Sequence, residues 1–169
     1  MLEQTNKLLP AHNILAAREL LADLRAVPEL APYLMDDIWL KADQASAIST
    51  LAAEHGISLG VGIGTKSLSF KTLKNGQNAI NWTICVYAFQ PARGTDEEDV
   101  EKLERVINTA FAYAMKFGYT PPGGSKEARP TPIPAIAQSI EQIDLGEEAG
   151  FAAGSMRAEA LLLTIRVHH

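Results

Sequence analysis

A single cysteine, Cys85, rules out an internal disulfide and makes a reducing compartment the expected setting. Long apolar runs are also lacking, and none approaches the roughly 20 residues that a helix needs to span a bilayer. The opening "MLEQTNKLLPAHN" has neither the basic start nor the apolar block of a secretory leader. Neither membrane attachment nor export is expected. Chemical signatures are equally scarce. No serine sits in a G-x-S-x-G elbow, and no Cys/His spacing fits zinc. His168 and His169 are adjacent in a strand-like run, so their side chains point to opposite faces and do not chelate one ion. His12 and His55 stand isolated, with surface or capping roles expected. Cys85 lies in an apolar strand-like run, where a buried thiol is the expected state. No catalytic, cofactor-binding or metal-binding residue is therefore expected, and the chain reads as non-enzymatic.

A further absence concerns charge. From His55 to Thr95 there is no Asp or Glu, while Lys66, Lys71, Lys74 and Arg93 give this stretch +4. The whole chain carries −5, so the remainder carries nine net negative charges. Such a balance argues against a general nucleic-acid binder. A basic arm on an acidic body is self-complementary, because one copy's arm matches another copy's acidic surface.

What is present reads as one domain of 169 residues. It divides into a helical part (1–56), a hairpin plus helix (57–118), a Pro/Gly-rich loop (119–135) and C-terminal strands (136–169). Ile14, Ala17, Leu20, Leu21 and Leu24 recur at helical spacing over Asn13 to Ala26. A second helix is predicted from about Lys41 to Glu54, ended by Gly56. From Ile57 the period changes to two: Ile57, Leu59, Val61 and Ile63 alternate with Ser58, Gly60, Gly62 and Gly64. The phase slips near Gly64-Thr65, as at a bulge. "NAINWTICVYAF" supplies the return strand. A three-residue turn, Lys74-Asn75-Gly76, predicts pairing of Phe70 with Ile80 and of Leu68 with Trp82. Thr95 and Glu98 form a capping box before a helix whose buried stripe is Val100, Leu103, Ile107, Ala110, Phe111 and Ala114. A short strand is predicted in "AQSIEQIDLGEE". The final strand places Leu161, Leu163, Ile165 and Val167 inward. The order implies an α+β fold: a mainly antiparallel sheet with a long β-hairpin and helices packed on one face.

"LGVGIGTKS" invites a different reading, since it is one substitution from the phosphate-cradling pattern G-x-x-x-x-G-K-[ST]. Such a loop follows a buried strand and opens a helix, whose N-terminus holds the anion. Here the stretch follows a helix end and continues as a strand. Thr65 also replaces the glycine whose backbone must approach the phosphate. The glycines instead predict a flattened strand face that another backbone or subunit approaches closely.

"ISLGVGIGTKSLSF", "NAINWTICVYAF", "TDEEDVEKLERVINTAFAYA" and "AEALLLTIRV", in this order, resemble the pattern of bacteriophage tail terminator and related tail-completion or head–tail joining proteins. The resemblance covers roughly Ile57 to Val167. It implies a ring, commonly hexameric, that caps the tail tube and meets tail-tube or connector proteins. The subunit would be cytoplasmic during assembly and then part of the virion. Physical features agree with self-association. Ile57, Leu59, Val61, Ile63, Tyr87 and Phe89 read as one apolar hairpin face, and Leu68, Phe70, Ile80, Trp82 and Ile84 as the other. One helical layer covers only one face, so the first set is expected at a subunit interface. Lys66, Lys71, Lys74 and Arg93 would meet Asp96, Glu97 and Asp99 of a neighbour in a head-to-tail contact. Two alternatives stand beside this: an interaction module unrelated to phage, and a small enzyme with a pocket between helices and sheet.

Overall fold

The computed structural model describes residues 8, 10–39, 44–68, 79–91, 97–122, 131–145, 150–151 and 156–168. The first helix, α1 (His12–Arg25), buries Ala16, Ala17, Leu20, Leu21 and Leu24 along one stripe. It ends before Pro28, and Ala31–Tyr33 form a short 3₁₀ turn. Next comes an extended segment, Leu34 to Trp39, then α2 (Ala45–His55). Gly56 closes α2 in the left-handed conformation (φ 86°), its N–H donating to the Ala52 carbonyl at 2.8 Å. A side chain there would be strained.

Four strands make the main sheet: β1 (Ser58–Leu68), β2 (Ala79–Pro91), β5 (Ile136–Leu145) and β6 (Met156–His168), in the order β1-β2-β6-β5. Every neighbouring pair is antiparallel. The long helix α3 (Glu97–Met115) follows β2. β3 (Gly118–Tyr119) and β4 (Ile133–Pro134) form a separate two-stranded ribbon at the two ends of the predicted Pro/Gly-rich loop. The α+β class and the antiparallel sheet are thus as the sequence implied.

The bulge lies where the phase slip placed it, between Ile63 and Lys66. The hairpin register differs from expectation. Leu68 faces Ile80 and Lys66 faces Trp82, two residues from the pairing that a three-residue turn gives. Register is fixed where a face is buried, here by Val61 opposite Val86 and Ile63 opposite Ile84, and not by turn chemistry at the far end. The turn itself (69–78) and the capping box lie outside the described residues.

This register also re-sorts the hairpin's two faces. Leu59, Val61, Trp82, Ile84, Val86 and Ala88 share one face, joined by Leu161, Leu163, Ile165 and Val167 of β6. α1 and α3 form the helical layer over it, through Leu20, Leu24, Leu103, Ile107 and Phe111. Burying a Leu, Ile or Phe side chain in such a layer contributes roughly 1.5–3 kcal/mol. Val100, predicted in this stripe, is 43% exposed, because it sits in the first turn of α3, before the helix reaches the core. The opposite face carries Cys85, Tyr87, Phe89, Met156, Ala158 and Ala160, and α2 lies over it through Ala45, Ile48 and Ala52. Both faces at this end of the sheet are therefore covered within one protomer.

Candidate assembly surface

Gly60 and Gly62 stand on the α2 side of β1, and the segment Leu34–Trp39 runs against them. The Met35 N–H donates to the Leu59 carbonyl at 2.9 Å, and the Trp39 N–H to that of Val61 at 2.7 Å. Parallel bridges join Leu34 to Leu59 and Trp39 to Gly62. Arg25 clamps the segment's start through Nη2, which donates to the Met35 and Asp36 carbonyls at 2.7 and 2.9 Å. The Trp39 ring meets Tyr87 edge-on at 5.1 Å and Phe89 at 5.5 Å, while Tyr87 and Phe89 stack at 5.4 Å. The glycines make room for this aromatic layer. A Cβ on Gly62 would lie 2.9 Å from the Tyr87 ring and 3.1 Å from the Trp39 carbonyl oxygen. The approaching backbone is the protomer's own, and because Ser58–Leu68 is continuous strand, a phosphate loop is excluded there.

Most of the residues expected at a subunit interface accordingly lie elsewhere. Ile57, Leu59, Val61 and Phe89 are fully buried and Tyr87 is 8% exposed, all inside the protomer, and Ile63 is half-buried against the α1/α3 core. The expectation that these residues share one face awaiting a neighbour is corrected: Ile57, Leu59, Val61 and Ile63 pack in the α1/α3 core, while α2 and Leu34–Trp39 cover Tyr87 and Phe89 on the other face. Lys66 lies on β1, Glu97 opens α3, and Asp99 is exposed in its first turn. Lys71, Lys74, Arg93 and Asp96 lie outside the described residues.

Among the described residues, the far edge of the sheet is left open. β5 is longer than the short strand predicted, and its residues from Ile136 to Gln142 are all exposed. Only its β6 side is paired among the described residues. Ile136 and Ile140, 58% and 57% exposed, project from opposite faces, opposite Thr164 and Leu161 respectively. Toward the other end of β5, Gln90, Glu104, Gln142, Asp144, Arg157 and Glu159 line a polar hollow between α3 and the sheet. Burial, with Glu104 nearby, pushes the Glu159 carboxyl up, and Arg157 only partly offsets this.

Polar side chains also lie inside the molecule. His12, expected at the surface, is buried at the start of α1. Its Nδ1 is 2.8 Å from the Tyr119 hydroxyl, and its ring meets Trp82 edge-on at 6.1 Å. Burial, then the charge of Glu19, raises the Tyr119 hydroxyl to about 12. Burial likewise pushes the Cys85 thiol up, which leaves less of the nucleophilic thiolate. A groove of about 380 Å³ between the α1–3₁₀ turn and α3 is lined by Glu29, Leu30, Glu101, Lys102, Arg105, Val106 and Thr109. Its charges are mixed and belong mostly to one exposed helix face.

No family model and no curated protein matches the chain. Among solved structures it is similar to a chain from the virion of a native gene transfer agent particle, at TM-score 0.47 and 10% identity, over 95% of this chain and 100% of that one.

Proposed function

We propose that this chain is a non-enzymatic structural subunit of a phage or prophage tail or neck, which assembles into a ring that terminates the tail tube or joins head to tail. The observation that carries the reading is the open β5 edge: ten residues of strand, exposed along most of their length, beside a sheet whose apolar faces are filled from within. An exposed sheet edge is a template for pairing with another chain. The order of the elements, with a long helix packed back on a hairpin, is the other support, through the resemblance to tail-completion proteins. Electron microscopy of the purified protein, with light scattering after size exclusion, tests it. Closed rings of uniform size are expected. A protein that stays monomeric at high concentration and low salt refutes the proposal.

A further inference from the structure

Among the described residues, both outer strands of the sheet retain unpaired edge. On β1 the segment Leu34–Trp39 occupies the edge only as far as Gly62. From Ile63 to Leu68 that edge has no partner among the described residues, and the outer edge of β5 has none along its length. We propose that β5 of one copy pairs antiparallel with the free half of β1 of the next, so that one sheet runs from copy to copy. This rests on the ring reading and names the surface that would close the ring.

Strand direction permits it. Four strands in alternating antiparallel order leave β1 and β5 running oppositely. A second copy, set beside the first by rotation about an axis along the strands, presents β1 antiparallel to β5. The contact is heterologous, the kind that generates closed rings. Charge selects it over the alternative of two β5 strands related by a twofold axis. β5 carries Glu141 and Asp144 and no basic residue. A twofold pairing would gather four carboxylates at one seam. The free half of β1 instead carries Lys66, within a stretch from His55 to Thr95 that has four basic residues and no acid. Opposite charges on neighbouring strands favour pairing, and like charges oppose it. The exposed Ile136 and Ile140 supply apolar area on the two faces of the seam.

Charge reversal tests the pairing in the full-length chain. Glu141→Lys with Asp144→Lys should weaken assembly at least tenfold at low salt, by light scattering, and Lys66→Glu should weaken it too. Combining all three in one chain should restore assembly in large part. Far-UV circular dichroism checks that each variant is folded. Amide exchange on the unaltered protein gives an independent reading, since β5 and residues 63–68 should slow together on assembly. Unchanged exchange in β5, or undiminished assembly of the folded Glu141→Lys/Asp144→Lys chain, overturns the inference while leaving the ring reading standing. A parent chain that never assembles overturns both.

Discussion

Gly62→Ala is the sharpest test of how β1 is packed. The added methyl carbon would sit 2.9 Å from a Tyr87 ring carbon and 3.1 Å from the Trp39 carbonyl oxygen, both inside ordinary contact distance. Neither neighbour yields easily. Tyr87 is stacked on Phe89 and abutted by Trp39, and the Trp39 backbone is held by its 2.7 Å hydrogen bond to Val61. Overpacking of this kind costs about 1–3 kcal/mol, against which Ala recovers roughly 0.5–1 kcal/mol by restricting the unfolded chain. A net loss of about 1–2 kcal/mol is expected, or roughly 2–8 °C in melting temperature for a domain of this size. Gly64→Ala is the control. Its Cβ would come 2.8 Å from the Thr83 methyl and 3.1 Å from the Thr83 Cβ, with no backbone atom among the near contacts, so a loss of similar or smaller size is expected. Urea unfolding followed by tryptophan fluorescence measures both. If Gly62→Ala is as stable as the parent, the close approach of Leu34–Trp39 to β1 is misread.

Removing the Tyr119 hydroxyl by Tyr119→Phe takes away the 2.8 Å contact with buried His12, and a loss of about 1–2 kcal/mol is expected in urea unfolding at pH 7. The same residue predicts alkaline behaviour. Its hydroxyl titrates at about 12 when folded against an ordinary 10, so the unfolded chain loses its proton first. Stability should hold below pH 10 and fall as pH rises toward 12, with a shallower fall in Tyr119→Phe. Glu159→Gln should be neutral or stabilising by up to about 1 kcal/mol at pH 7, since burial and Glu104 disfavour the ionised form. Because the raised carboxyl protonates as pH falls, that advantage should vanish in acid, which a pair of thermal melts at pH 7 and pH 4 would show. Ile140→Lys should change stability by no more than about 0.5 kcal/mol, because the side chain is 57% exposed, yet reduce self-association in sedimentation runs.

Much of the fold was legible because periodicity and capping act locally. The stripe in α1, the left-handed Gly56, the bulge between Ile63 and Lys66, and the inward set of β6 each follow from a few neighbouring residues. The failures share one cause, which is packing between segments distant in sequence. Nothing in "PYLMDDIW" shows that Leu34–Trp39 lies along β1, since only two bridges and two backbone hydrogen bonds place it there. That segment, with α2, buries Tyr87 and Phe89 of the expected subunit interface in a second protomer core, while Ile57, Leu59 and Val61 lie in the first. His12 has no local signal of burial either, because its partner Tyr119 is 107 residues away. β5 exceeds the predicted short strand, and Ile136, Ile140 and Ile143 do not alternate along it. A bulge between Ala137 and Ser139 and exposure of both faces together hide the alternation that a half-buried strand displays.

That β5 edge gains weight from the filling of the sheet's faces. Had Tyr87 and Phe89 been bare, apolar burial would have been a sufficient drive for association, with geometry poorly specified. With those rings buried, the proposed association would rest mainly on backbone hydrogen bonding along an open strand, which fixes direction and spacing, with Ile136 and Ile140 adding apolar area. Monomeric proteins usually blunt such an edge with lysine or proline. From Gln138 to Leu145, β5 has neither, and its two charges are both negative. In the proposed pairing, those carboxylates would repel a second β5 and attract a basic strand, acting as a filter on the partner's identity and not as a general block. An edge protected against its own kind yet open to the other end of the same sheet favours head-to-tail growth. The curvature between successive copies would then decide whether that growth closes.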